Sequence, residues 1–74
     1  MTMAYFKIEE PNKPTKWIDT VDRANGKLTF RDNRGGYQES SGYFANSALK
    51  HLQFHFMEEY PELKYMKVDT SGDW

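Results

Sequence analysis

The dipeptide Asn25-Gly26 separates two β-rich runs, residues 16–22 and 27–32, and this arrangement restricts the fold more than any other feature of the sequence. Asn and Gly both tolerate the positive φ angles that tight hairpin turns require. In the second run, apolar residues alternate with polar ones at the period of two that gives a strand one apolar face. The sequence therefore predicts a β-hairpin here.

The strands on either side of this turn differ in how regularly they alternate. In the first arm of the hairpin, a strict period of two places Trp17 and Val21 on the face opposite Ile18 and Thr20.

Residues 5–9 alternate cleanly and predict a further strand. Residues 63–69 predict the last strand. The inward residues predicted for these two strands are Phe6, Ile8, Met66 and Val68.

A second turn is indicated at Gly35-Gly36, because paired glycines commonly mark loops and turns. Residues 37–41 are predicted to return from it as a short strand, which would extend the hairpin into a three-stranded meander.

An amphipathic helix is predicted between Asn46 or Ser47, either of which could cap it, and Tyr60, where Pro61 ends it. Its apolar residues recur every three or four positions and form one stripe. The members of that stripe are Ala45, Ala48, Leu49, Leu52, Phe56 and Tyr60. Phe54 lies off the stripe, on the opposite side of the helix.

Strands grouped before a single helix predict an α+β fold, a small antiparallel sheet of three to five strands with the helix on one face. The 74 residues fit one domain over 1–74, with a polar tail at 70–74. There is no cysteine, so neither a disulfide nor a thiolate zinc site supplements the core. Two Trp, five Tyr and five Phe must therefore supply much of that core.

The sequence contains no pattern of catalytic residues. Its serines lie in a turn and near the helix start, and no cysteine is present to act as a nucleophile. His51 and His55 share one helix flank, but Leu52 stands where zinc proteases carry glutamate, and no third strong ligand is evident. We therefore expect a protein that is not an enzyme and that binds neither a metal nor a cofactor.

Exposed aromatic residues favour a role in binding another protein, because such residues are preferred anchors of interfaces. The expected contact residues are Phe54, Met57, Lys50, Trp17 and Trp74. The function that we expect is a small non-catalytic regulator or inhibitor, of a kind that bacteriophages often make, that occludes a surface of a larger macromolecule. The identity of that partner is not encoded in any motif.

Two alternatives remain open. A net charge of −1 gives no overall attraction to nucleic acid, but residues 23–34 are locally basic. Single-stranded nucleic acid could therefore bind the hairpin by charge and stacking, through Lys27, Arg31, Arg34 and Tyr37. Alternatively, the helix could pair with a second copy across a two-fold axis.

The sequence also gives expectations about location and association. No apolar run approaches the length of a membrane span, and no secretory or transit leader is recognisable, so we expect a cytoplasmic protein that does not contact a membrane. The apolar surface around Phe54 and Met57 is small for an obligate dimer, and we expect a monomer.

Overall fold

A computed structural model describes residues 3–40 and 42–70 of the chain. These residues form a small antiparallel sheet and one α-helix, so the predicted α+β class is confirmed. The elements in chain order are β1 Ala4–Ile8, β2 Lys16–Asp22, β3 Lys27–Arg31, β4 Gln38–Glu39, α1 Gly42–Phe56, a 3₁₀ helix Pro61–Tyr65, and β5 Met66–Thr70.

The first strand, β1, is the centre of the sheet. One of its edges pairs with β5 along all five residues. Its other edge is divided, because Lys7 and Ile8 pair with β2 whereas Ala4 and Tyr5 pair with β4. The predicted hairpin of β2 and β3 is confirmed and forms the far side of the sheet.

The predicted return of residues 37–41 beside β3 is wrong, because β4 pairs with β1. The three-stranded meander is formed by β1, β2 and β3. The chain crosses β2 at Gly36, which has φ of 86° and lies so close that a Cβ atom there would be 2.5 Å from the Ile18 carbonyl oxygen. The next residue, Tyr37, donates its N–H to that same carbonyl at 3.0 Å. This crossing brings β4 alongside β1.

The side chains of β2 after Asp19 face the opposite way from the prediction, because a β-bulge occurs at Asp19. Ile18 pairs with Phe30 and Thr20 pairs with Thr29, so Asp19 has no partner in β3. One extra residue reverses the alternation that follows it. Val21 therefore shares the core face with Ile18, whereas a strict period of two placed these residues on opposite faces.

The helix covers the apolar face of the sheet and completes one core. Ala45 and Leu52 are fully buried, and Phe56 is nearly so. The predicted inward residues Phe6, Ile8 and Met66 belong to the same buried cluster, and Val68 packs against it. The remaining members of that cluster are Ala4, Ile18, Leu28 and Leu63.

Both predicted ends of the helix are corrected. It begins at Gly42, ahead of the predicted caps Asn46 and Ser47. Glycine and aromatic residues are only fair helix formers, but burial of Ala45 in the core favours helical structure in this first turn. It ends at Phe56, four residues before the predicted end at Tyr60.

Tyr60 lies beyond the end of the helix and contacts the outer edge of β3. Its hydroxyl oxygen accepts the Leu28 N–H at 3.1 Å, and its ring packs edge-on against Phe30 with 5.8 Å between centroids. An unpaired edge strand is a template for aggregation, and this contact covers the edge of β3 at Leu28.

The last strand begins later than predicted. Residues 63–65 belong to the 3₁₀ helix, in which Leu63 is fully buried and its carbonyl oxygen accepts a bond from Gln53 at 2.9 Å. Pro61 suits the first turn of such a helix because that turn needs no N–H from it. At the other end, Thr70 pairs with Ala4 inside β5, although the sequence assigns it to the tail; residues 71–74 lie outside the described residues.

Candidate functional site

Exposed apolar side chains are concentrated on the solvent side of α1. Within residues 3–40 and 42–70, the large exposed hydrophobic residues are Tyr43 (81%), Phe44 (55%), Phe54 (85%) and Met57 (40%). We call the surface formed by these four residues and Lys50 the outer helix face. Clustered exposed apolar residues of this kind mark interaction sites more often than scattered ones do.

Three members of the outer helix face lie on one line along the helix. At about 100° per residue, Lys50 and Phe54 both fall within roughly 20° of Tyr43 around the axis. At ~1.5 Å per residue, Lys50 lies ~10 Å and Phe54 ~16 Å along the axis from Tyr43. The line therefore presents a ring, an ammonium group and a second ring in that order.

The charges of the helix are all basic. Between Gly42 and Phe56 there is no Asp or Glu, and the residues that carry or can gain positive charge are Lys50, His51 and His55. In the part of the chain that the structure describes, Lys50 forms no ion pair. Its ammonium group is thus available to a partner.

The imidazole rings of the helix lie beside the aromatic side chains. His51 and His55 stack at 6.2 Å between centroids, and Phe54 meets His55 edge-on at 5.2 Å. Tyr43 and Phe44 form a similar edge-on pair at 5.4 Å. No third Asp, Glu, His or Cys joins the two histidines into a metal-binding group among the residues described.

Three of the five residues of the outer helix face were predicted from the sequence. The predicted outward position of Phe54 is confirmed, and the structure brings Met57 and Lys50 close to it on the exposed side. Tyr43 and Phe44 were missed because the helix was predicted to begin after them. A spacing of 11 residues between Tyr43 and Phe54, three helical turns, would have identified the shared face.

Trp17, another predicted contact residue, lies on the opposite side of the molecule and is half-buried. Its indole N–H donates to the Asp69 carboxylate at 2.8 Å. That carboxylate also receives Arg34 Nε at 3.1 Å, and the guanidinium lies 4.3 Å from the centre of the Tyr5 ring. Trp17 is therefore part of a polar network on the outer face of the sheet; Trp74 lies outside the described residues.

The four residues of the nucleic-acid hypothesis do not form one surface. Arg34 lies on the Tyr5 side of the sheet, whereas Tyr37 packs against Phe6 on the core side, with 5.5 Å between ring centroids. Arg31 pairs with Asp19 at 3.6 Å, and Lys27 is exposed beside the hairpin turn.

Tyr37 is half-buried, and its hydroxyl group donates a hydrogen bond to the Glu39 carboxylate at 3.0 Å. Burial raises the pKa of Tyr37 above its usual value, and this hydrogen bond raises it further. A ring held in this way is poorly placed for stacking on a base.

A cleft of about 650 Å³ lies between the 3₁₀ helix, the end of β3 and the 10–16 loop. Lys16 bridges it, with its Nζ 3.0 Å from Glu62 and 4.1 Å from the centre of the Phe30 ring. Burial acts to raise the pKa of Glu62, but bonds from its own backbone N–H and from Lys16 outweigh burial and lower that pKa. The ion pair between Lys16 and Glu62 therefore links two walls of the cleft.

Comparisons with known proteins give no relative for this fold. No family model matches the chain, no curated protein matches it, and no solved structure matches it. Within the described residues, no helix has both the length and the apolar character needed to cross a membrane.

Proposed function

We propose that the chain is a non-catalytic binding module that recognises another protein through the outer helix face. The observation that carries this proposal is the exposure of Tyr43 and Phe54 on one side of α1, when the other side of that helix already fills the core. A monomeric fold needs only one apolar helix face. The second face therefore has no role in folding.

The composition of the surface supports a protein partner. Aromatic residues contribute large contact areas with few rotatable bonds, and they are enriched among the residues that dominate binding energy. A rigid helix that presents such residues fits the helix-in-groove mode of recognition. A regulator or inhibitor would act here by covering a surface of its target, and the proposal places it in the cytoplasm.

The alternative of single-stranded nucleic-acid binding has less support from the geometry. Arg31 and Arg34 already face carboxylates at 3.6 and 3.1 Å. Neutralising phosphates would require those ion pairs to open. Binding of a labelled oligonucleotide at ~50 mM salt, lost when both arginines are replaced, would restore this alternative.

Affinity capture with matched variants tests the proposal. The immobilised wild-type chain, Tyr43→Ala, Phe54→Ala and the control Lys27→Ala are exposed to the same cell lysate, and captured proteins are quantified by mass spectrometry. Lys27 is exposed on the hairpin and is not a member of the outer helix face, so its replacement leaves that face intact.

We expect the wild type and the control to capture the same protein. The captured amount of that protein should be at least tenfold lower with each of the two helix variants. Circular dichroism should show all four chains folded. Captured proteins that are insensitive to Tyr43→Ala and Phe54→Ala, or no captured protein at all, would refute the proposal.

A further inference from the structure

We infer that the partner of the outer helix face is a protein groove with two apolar pockets ~16 Å apart and a carboxylate between them. This inference rests on the proposed function and specifies the chemistry of its partner. The spacing follows from Tyr43 and Phe54, which are 11 residues apart on a helix that rises ~1.5 Å per residue. The carboxylate follows from Lys50, which lies between the two rings.

Lys50 determines which charge the partner must present to this surface. It is exposed, it forms no ion pair within the described chain, and the helix contains no acidic residue to neutralise it. Covering an ammonium group without a counter-charge is costly, because its hydration is lost and nothing replaces it. A partner that seats both rings must cover Lys50 and must therefore supply an acceptor, best provided by Asp or Glu.

A second copy of the chain fits this surface poorly. In a two-fold pairing in which Tyr43 packs against Phe54 of the second copy, the axis passes close to Lys50, so the two Lys50 side chains would lie near each other. No carboxylate within Gly42–Phe56 could intervene. Like charges brought together in an interface oppose association.

An anionic lipid surface is also a weaker match. Such surfaces attract clusters of basic residues, whereas Lys50 is the single lysine or arginine of the helix. Glu58 and Glu59 follow Met57, the first residue after the helix, and would be repelled by an anionic surface. One defined carboxylate in a protein groove satisfies Lys50 without this conflict.

Carbodiimide cross-linking tests the inference directly, because it joins an amine to a carboxylate that already contacts it. The complex recovered by affinity capture is cross-linked, digested and sequenced by mass spectrometry. The expected product joins Lys50 to an Asp or Glu of the partner. Lys27 and Lys64, exposed lysines on other elements, serve as internal controls and should give no such product.

A charge reversal measures the same contact in solution. Lys50→Glu should weaken the complex at least tenfold, whereas Lys27→Glu should change the affinity less than twofold. Replacing the cross-linked partner carboxylate by lysine should restore binding of Lys50→Glu at least tenfold.

Each outcome decides one of the two proposals. A complex that needs Phe54 but gives no Lys50 cross-link and tolerates Lys50→Glu overturns the carboxylate and leaves the proposed function standing. A complex indifferent to Phe54→Ala overturns the proposed function itself. Sedimentation of the chain with vesicles of anionic phospholipid, or dimerisation of the wild type alone at micromolar concentration, would replace the protein groove by a lipid surface or a second copy.

Discussion

Leu52 and Phe54, two residues apart on the helix, should differ strongly in how much their replacement by alanine destabilises the fold. Leu52 is fully buried in the core, whereas Phe54 is 85% exposed. Leu52→Ala removes buried methyl groups and leaves a cavity, which costs about 2–5 kcal/mol in comparable cores. That is a large part of the roughly 4–11 kcal/mol expected for the free energy of unfolding of a domain this size.

The cost of Phe54→Ala follows from its exposure. The remaining ~15% of a ring side chain that can bury about 200 Å² is ~30 Å², worth under about 1 kcal/mol at roughly 25 cal/mol per Å². Alanine also has the higher helix propensity, by up to about 0.7 kcal/mol, which offsets part of that loss. The net change should be close to zero.

Urea unfolding followed by far-ultraviolet circular dichroism measures both variants. Leu52→Ala should shift the midpoint far to lower urea, and Phe54→Ala should leave it within the scatter of repeated wild-type melts. Equal destabilisation by the two substitutions would place Phe54 in the core and refute the assignment of the outer helix face.

Four further predictions use other parts of the fold. Gly26→Ala should cost about 1–2 kcal/mol, because alanine must adopt the left-handed φ of 65° in open space; Gly36→Ala should cost clearly more, since its Cβ meets backbone, and equal urea midpoints for the two would argue against the crossing at Ile18. Trp17→Phe should cost about 1–2 kcal/mol through loss of the indole bond to Asp69, and an unchanged melt would argue against that bond. Because the folded-state pKa of Glu62 is lowered, its carboxylate stabilises the fold above the unfolded pKa, and this contribution is lost as pH falls through the folded-state pKa. The difference in the free energy of unfolding between the wild type and Glu62→Gln should therefore be smaller below pH ~4 than at pH 7. A difference that does not change with pH would contradict this. Sedimentation equilibrium at micromolar concentration should give a mass near 8.8 kDa, whereas about twice that mass would contradict the monomer.

The parts of the fold that could be predicted from the sequence depend on local chemistry. Asn25-Gly26 specifies its turn through its own backbone preferences, and the alternation around Phe6 and Ile8 needs only the period of a strand. The predicted pairing of β4 with β3 was wrong because β4 is positioned by a long-range contact, the close approach of Gly36 to β2. No local pattern encodes that contact.

The candidate site was predicted in part for the same reason. Phe54 and Lys50 lie in the middle of the helix, where the period of 3.6 residues assigns each position to a face. Tyr43 and Phe44 lie in the first turn, whose helical state depends on burial of Ala45 against the sheet. Their place on the outer helix face is therefore set by tertiary structure.

If α1 binds a protein through its solvent side, an amide footprint should locate the contact on this helix. Two-dimensional NMR of the ¹⁵N-labelled chain, recorded with and without the captured partner, reports each backbone amide separately. The largest shifts and line broadening should fall on residues 43–57, with the strongest effects at Tyr43, Lys50 and Phe54. Perturbations centred on β2 and β3, with α1 unchanged, would contradict it.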